Sequence, residues 1–149
     1  MAFYFNNPHF LTQQRAGHML EKKFVEEVFN SLQTDPQPFL ERVADNVRWT
    51  VKGTHKMAGI YNSKKELVER AFQGMGKMLK EGKVMMEVKR IFVDGDYAIA
   101  EMEGICTALN GKRYNNTYCW IVKFEKGLIT EATAYVDSAL IQQILDENS

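Results

Sequence analysis

The chain has 149 residues, 45% of them hydrophobic, and its 19 basic residues balance its 19 acidic residues. This length suits a single domain over 1–149 with a sizeable core, and the balanced charge argues against a nucleic-acid or anionic-membrane partner, since basic surfaces bind both. No apolar run approaches the roughly 20 residues that cross a bilayer, and the N-terminus lacks a secretory pattern, so we expect a cytoplasmic protein.

The first third of the chain predicts helices followed by one strand. Apolar residues recur at helical spacing over 9–32, which indicates one long helix with a kink near Gly17. Pro36 and Pro38 end it, because neither proline nor the residue before it continues a helix easily. The segment FLERVA then predicts a short helix, VRWTV a strand and GTHKMAG a loop.

The rest of the chain predicts a helix, four strands and a last helix. Asn62 or Ser63 can cap the helix, with Glu66 in the capping-box position, and Gly82 stops it. Strand-like alternation follows over 83–93 and, in three parts separated by glycine turns, over 97–137. Ser138 is the expected cap of the last helix. Strands grouped this way indicate an α+β fold, a curved and mainly antiparallel sheet with helices on one face.

The two glycine turns predict which strand positions face each other. Asn110 and Gly111 favour a two-residue turn, since both take positive φ readily, and this sets Leu109 opposite Lys112. Counting back gives two further pairs, Glu103 with Tyr118 and Glu101 with Trp120. If Lys126 and Gly127 also form a two-residue turn, Tyr118 faces Tyr135 and Asn116 faces Asp137. A three-residue turn there would flip the last strand.

In this register one face of the sheet mixes large aromatic and polar side chains, which is typical of a ligand pocket. Its predicted lining is Trp49, Tyr61, Glu101, Asn116, Tyr118, Trp120, Val122 and Tyr135. The other face is small and apolar, with Ala98, Ala100, Met102 and Cys119 among its residues. Because such a face should not meet water, we expect a second copy of the chain to cover it in a homodimer.

Four segments carry a family resemblance: WTVKG, AGIYNSKKELVERAF, GKRYNNTY and KFEKGLITEATAYVDSALIQQIL. Together they resemble the SnoaL-like branch of the nuclear-transport-factor-2-like (NTF2-like) superfamily, which includes ketosteroid isomerases, polyketide cyclases and limonene epoxide hydrolases. The resemblance covers the chain from about Val25 onward. It implies a cone-shaped fold, a homodimer and a deep apolar cavity between sheet and helices. Because this fold hosts unrelated chemistries, it does not specify the reaction.

Three residues are candidates for acid/base catalysis. Asp137 matches the aspartate that the superfamily often places in a final-strand Tyr-x-Asp motif, although it can equally cap the last helix. Glu103, like Glu101, can be a buried acid with a raised pKa suited to proton transfer, or a solvated or tyrosine-bonded carboxylate. His55 can overhang the cavity mouth and titrate near neutrality, although a loop histidine is more often without a role.

The sequence also departs from the catalytic relatives that it resembles. The base of ketosteroid isomerases aligns near Thr50 and their second acid near Trp120, so neither carboxylate is present. The arginine and aspartate that epoxide hydrolases place near Tyr118 and Trp120 are absent as well. This chain therefore lacks the catalytic residues of the two best-defined activities of the superfamily.

Two functions remain open at this point. The first is a pocket protein that binds a small apolar molecule, or isomerises, cyclises or dehydrates it by acid/base catalysis with Asp137, Glu103 or His55. The second is a non-catalytic ligand-binding or dimeric interaction module. Cys106 and Cys119 have no metal-binding spacing, and we expect neither a metal nor a cofactor.

Overall fold

The computed structural model describes residues 19–149. Part of the helix predicted over 9–32 therefore lies outside the described residues, and its described part is α1 (Lys22–Asn30). A 3-10 turn (Ser31–Gln33) and a short helix α2 (Gln37–Leu40) follow. The proline positions explain this order, because Pro36 is the N-cap of α2 and Pro38 lies in its first turn, where the missing N–H costs no helical hydrogen bond.

The structure has eight strands where the sequence predicted five, because Gly59–Tyr61 forms a strand and the stretch over 97–137 contains two additional short strands. Six form one sheet in the order β2-β1-β8-β7-β4-β3, and β5 and β6 form a separate ribbon. All pairs are antiparallel except β1 with β8. The strands are β1 (Val43–Val51), β2 (Gly59–Tyr61), β3 (Met86–Asp94), β4 (Tyr97–Gly104), β5 (Cys106–Thr107), β6 (Arg113–Tyr114), β7 (Thr117–Glu125) and β8 (Leu128–Val136).

Two more helices complete the fold. The helix α3 runs without a break through Lys64–Glu66, a π-helical segment Leu67–Phe72 and Gln73–Gly76. Ser63 is its cap, as predicted, since its hydroxyl accepts a hydrogen bond from the Glu66 N–H at 3.0 Å. The last helix is α4 (Ser138–Asn148), and its cap is Asp137 rather than Ser138.

This arrangement confirms the predicted α+β class, with a curved and mainly antiparallel sheet. Burial alternates strictly along β4 and β7, so one face of the sheet, which we call the inner face, belongs to the core. In β4 and β7 every second residue lies on this face and is buried: Ala98, Ala100, Met102, Gly104, Tyr118, Trp120, Val122 and Phe124. In the part of the chain that the structure describes, no helix is long and apolar enough to span a bilayer.

The predicted register of the first hairpin is wrong by one residue. Its loop has three residues, 109–111, because the Ala108 N–H donates to the Lys112 carbonyl at 2.8 Å and the Gly111 N–H donates to the Ala108 carbonyl at 2.9 Å. Gly111 has a φ of 90°, which suits the left-handed third position of such a loop. As a result Tyr118 pairs with Met102 rather than with a glutamate.

The second hairpin has the predicted two-residue turn, yet its strand also shifts. Lys126 and Gly127 both have positive φ, 52° and 80°, and Glu125 pairs with Leu128 as expected. Pairing then moves from Phe124–Ile129 to Lys123–Glu131, so Thr130 is an extra residue, a β-bulge.

The two shifts exchange the faces that the sequence predicted. Beyond the bulge Val136 pairs with Tyr118, and Tyr135 points outward with 45% of its surface exposed. Ala98, Ala100 and Met102 share the inner face with the aromatic residues and are buried within the subunit. The predicted small-residue face is therefore not one surface: its β4 residues are buried on the inner face, whereas Cys119 and Ile121 of β7 lie on the outer face. A homodimer stays a prediction.

Candidate functional site

An apolar cavity lies between the inner face of the sheet, α3 and the start of α4. It has a free volume of about 80 Å³, and every lining residue among those described is aromatic, aliphatic or methionine. A carboxylate or an ammonium group would lose its hydration here without gaining a partner. The cavity therefore suits an uncharged, mainly apolar molecule.

Trp120 is the centre of a packed aromatic wall. Its ring lies 5.0 Å from Trp49, 5.7 Å from Phe39 and 6.0 Å from Tyr118, measured between ring centroids. The contacts with Trp49 and Tyr118 are edge-to-face, the geometry that aromatic quadrupoles favour. Each ring holds its neighbour, so this wall is rigid. Trp49 and Trp120 are also the two tryptophans of the chain.

The opposite wall is built from adaptable elements. The π-helical segment contributes Ala71 and Phe72, and Met57 and Met75 contribute methionine side chains. Single π-helical turns are frequent at functional sites, and methionine side chains repack at low cost. A ligand larger than the free volume can therefore be accommodated by movement of this wall.

Two tyrosine hydroxyls and a buried amide form the polar end of the cavity. Tyr114 and Tyr118 line it, and Asn116, fully buried, lies behind them. The Asn116 Nδ2 donates to the Tyr114 hydroxyl at 3.4 Å and to the Asp137 carbonyl at 3.2 Å. Burial raises the pKa of Tyr114, and it raises the pKa of Tyr118 well above its ordinary value, so both hydroxyls stay protonated at neutral pH.

Asp137 lies where β8 passes into α4. Its Oδ1 accepts hydrogen bonds from the N–H groups of Ala139 at 3.1 Å and Leu140 at 3.3 Å, so the side chain caps the helix. The residue is exposed and borders a groove on the outer face with Tyr135, outside the lining of the apolar cavity. A catalytic role for Asp137 stays a prediction.

The two glutamates lie on the outer face of the sheet. Glu101 pairs with Cys119 across the strands and forms an ion pair with Arg90, and Glu103 pairs with Thr117. The predicted pairing of Glu103 with Tyr118 and of Glu101 with Trp120 is wrong, because the three-residue loop moves every β4 side chain by one place relative to β7. Both are half-buried and neither lines the cavity.

His55 is buried in the loop between β1 and β2 rather than overhanging a mouth. Its Nδ1 accepts from the Met57 N–H at 3.1 Å, which leaves the proton on Nε2 to face the Lys52 carbonyl at 3.3 Å. Burial lowers the pKa of His55, and the contact with the Lys52 carbonyl, which raises the pKa, offsets this only in part. A Cβ on Gly53 would lie 2.5 Å from the Ser138 Oγ and 2.9 Å from the His55 ring, so the glycine lets this loop pack on α4.

The comparisons with known proteins agree with this architecture. The family model described as a SnoaL-like domain matches residues 22–132. The chain belongs to the SnoaL-like domain family. One relative is the dimerizing cyclase phiC of a fungal species, strain ATCC 74256, at 23% identity over 132 residues. The alignment covers 87% of this SnoaL-like chain but 58% of that relative's length.

Solved structures confirm the fold of the SnoaL-like chain. An NTF2-like protein from Burkholderia thailandensis matches with a TM-score of 0.69 at 20% identity, over 83% of this chain and 95% of that one. A protein with a ketosteroid isomerase-like fold from Catenulispora acidiphila, in complex with trimethylamine, matches with a TM-score of 0.61 at 11% identity, over 78% and 86%. The predicted resemblance is thereby confirmed.

Of the residues predicted to line the pocket, three do so in this SnoaL-like chain: Trp49, Tyr118 and Trp120. The others lie elsewhere. Tyr61 donates its hydroxyl to the Met57 carbonyl at 2.7 Å, and Val122 belongs to the core. Sequence reasoning missed Tyr114, which also lines the cavity. It lies an even number of residues before Tyr118 and Trp120, so strand alternation could have placed it on the same face.

Proposed function

We propose that this SnoaL-like protein binds a small, uncharged and mainly apolar molecule in the cavity beneath Trp120. The uncharged lining with hydroxyl groups at one end carries this proposal, since ligand sites combine an apolar wall with a few oriented polar groups. The π-helical segment of the wall supports it further, because such segments are frequent at functional sites.

A second candidate function is isomerisation or cyclisation of the bound molecule. A relative named as a cyclase supports it. A wall that holds a flexible molecule in a folded conformation promotes ring closure by orientation alone. Asp137, Glu103 and His55 lie outside the lining, so the site favours holding and hydrogen bonding over proton transfer by a carboxylate or an imidazole. Binding without turnover is therefore the first function to test.

Tryptophan fluorescence tests the binding proposal directly, because both tryptophans line the cavity. Titration with small cyclic ketones and alkenes should quench or shift the emission in a saturable way. Ala71→Leu replaces a methyl group on the lining with an isobutyl group and should abolish the response. Ala139→Leu makes the same exchange on the exposed side of α4 and should leave it unchanged. A response that survives Ala71→Leu would contradict the proposal.

We also propose a homodimer, formed through the outer face of the sheet. Large apolar side chains remain partly exposed there: Phe92 (49%), Tyr97 (44%) and Tyr135 (45%). Large apolar side chains exposed on one face of a sheet suit an interaction surface, and this face also carries charges of both signs, such as Arg90 and Glu101, which suits a two-fold contact. Light scattering should give a dimer mass that Ile121→Lys, at the middle of this face, reduces to the monomer mass. Gln143→Lys on α4 is the control.

A further inference from the structure

We propose that Met57 is the gate of the apolar cavity. Its side chain closes the mouth between the β1–β2 loop (residues 52–58) and α3, and it has to swing aside before a molecule can enter. The inference goes beyond the proposed function, because it concerns how the cavity is reached and not what occupies it. It also gives His55 a role, as the residue that positions the gate.

The mouth of the cavity is marked by the lining residues that are only partly buried. Most of the lining lies fully inside the protein, and five described residues keep some exposure: Val51, Met57, Ala71, Phe72 and Val136. Four of them belong to β1, β8 or α3. Met57 is the one described residue of this rim that lies in a loop, so its side chain is the part of the mouth that moves most easily.

The Met57 side chain reaches across this mouth to α3. A Cβ placed on Gly74 would lie only 3.1 Å from the Met57 Cε, so the methyl group occupies the space beside that glycine. Methionine is unbranched and has three rotatable side-chain bonds, so it can leave this position by rotation alone. The mouth can therefore open without movement of a helix or a strand.

The backbone of Met57 is fixed on both sides. Its N–H donates to the His55 Nδ1 at 3.1 Å, and its carbonyl accepts from the Tyr61 hydroxyl at 2.7 Å. The His55 ring is held in turn, since it is buried and its Nε2 lies 3.3 Å from the Lys52 carbonyl. A buried polar network with its partners in place is rigid. The side chain of Met57 therefore moves on a fixed base, and His55 sets where that base lies.

The loop is also anchored to α4, which argues against a lid that lifts as a whole. The Lys56 N–H donates to the Gln142 Oε1 at 2.8 Å. At the start of the loop Gly53 packs so closely on Ser138 that a Cβ would lie 2.5 Å from the serine Oγ. Lifting the loop would break both contacts, whereas rotation of the Met57 side chain breaks neither.

Fluorescence quenching tests the gate without a ligand, because Trp49 and Trp120 are the two tryptophans of the chain and both line the cavity. Acrylamide is small and uncharged and can pass an open mouth, whereas iodide is charged and is excluded from an apolar cavity. Met57→Ala should raise the acrylamide quenching constant at least about threefold, because the contacts that close the mouth are lost. The iodide quenching constant should not change.

Two further methionine variants serve as controls. Met57→Leu keeps an apolar side chain of similar volume and should leave acrylamide quenching near the wild-type value. Met78→Ala makes the alanine exchange at a partly buried methionine outside the lining and should change neither quenching constant. An equal rise for both quenchers in Met57→Ala, or no rise for acrylamide, would overturn the gate.

The positioning role of His55 has its own pair of variants. His55→Leu removes the acceptor of the Met57 N–H, so acrylamide quenching should rise about as much as in Met57→Ala. His55→Asn can place its side-chain oxygen where Nδ1 lies and should keep most of the wild-type protection. Equal quenching in the two variants would show that His55 does not position Met57. Since no ligand takes part, failure of the gate leaves the binding proposal standing, and failure of the ligand titration leaves the gate standing.

Discussion

The two faces of the sheet carry different chemistry. The inner face presents Tyr118, Trp120 and small residues to the cavity, whereas the outer face carries ion pairs such as Arg90 with Glu101 and half-exposed aromatic rings. Because neighbouring residues of a strand point to opposite faces, one residue of register decides which set meets a ligand. Among the described residues, the charged side chains lie outside the lining of the cavity, which consists of apolar groups and neutral hydrogen-bonding groups.

The largest difference in stability between the two faces should appear when one aromatic residue on each face is replaced by alanine. Trp120→Ala removes the ring that contacts Trp49, Phe39 and Tyr118, and should lower the free energy of unfolding by about 3–5 kcal/mol. Tyr135→Ala on the outer face should lower it by less than about 1 kcal/mol in a monomer. Urea denaturation measures both. Equal losses would mean that the outer face is as well packed as the inner one.

The second-largest loss of stability should follow from removing the buried amide of Asn116. Asn116→Ala leaves the N–H groups of Thr117 and Asp137 without their acceptor, so the free energy of unfolding should fall by about 2–3 kcal/mol. Asn115→Ala changes the same residue type at the adjacent exposed position and serves as the control. Chemical denaturation compares the two. Similar small effects would show that Asn116 does not clamp the end of β8.

The Asp137 carboxylate should stabilise the protein as the cap of α4. Asp137→Ala should cost about 1 kcal/mol of unfolding free energy, and Asp137→Asn only a few tenths, because asparagine caps helices as well as aspartate does. Thermal and urea unfolding provide the measurement. If the asparagine variant keeps its stability but loses a turnover that the wild type shows, Asp137 is catalytic after all.

The smallest effect should be a pH dependence due to His55. The folded pKa lies below the ordinary value of about 6.5, so in the interval between them the unfolded chain binds a proton that the folded chain does not. Stability should therefore be full above pH ~6.5 and fall as the pH drops towards the folded pKa. His55→Gln should flatten this part of the profile when unfolding is followed from pH ~7.5 to ~5.5. An unchanged profile would assign the dependence to other groups.

Features that depend on neighbours in sequence could be predicted. The Ser63 cap and the turn at Lys126 and Gly127 were predicted correctly, because a hydroxyl at a helix start and a glycine after a left-handed residue act locally. The fold class followed from the order of the periodic segments. Trp49 and Trp120 were predicted as pocket residues because both are large aromatic residues within segments that alternate like strands.

The loop of the first hairpin depends on distant residues. The Asn110 N–H donates to the Asn148 Oδ1 at 2.8 Å, and its side chain donates to Glu147 at 3.0 Å, both at the end of α4. The Leu109 N–H donates to the Met78 carbonyl at 2.9 Å. These contacts favour a three-residue loop over the turn that Asn-Gly prefers by itself. Glu101 and Glu103 were placed in the pocket because this information is not local.

The bulge in the last strand has a similar origin. The segment ITEATAYV contains neither glycine nor proline to mark it. The structure shows β1 docking beside it, with the Ile129 N–H donating to the Arg42 carbonyl at 2.7 Å and the pairing between β1 and β8 shifting at the same place. The neighbouring strand thus fixes the irregularity, and Tyr135 and Asp137 change their positions with it.

The extra residue at Thr130 has a consequence for how this strand evolves. Ile129 and Ala132, on either side of the bulge, are both buried, so removing the Thr130 codon would restore strict alternation and leave Tyr135 and Val136 on the faces that they now occupy. A one-codon deletion in β8 can therefore be absorbed by loss of the bulge, without changing the side chains that meet the cavity.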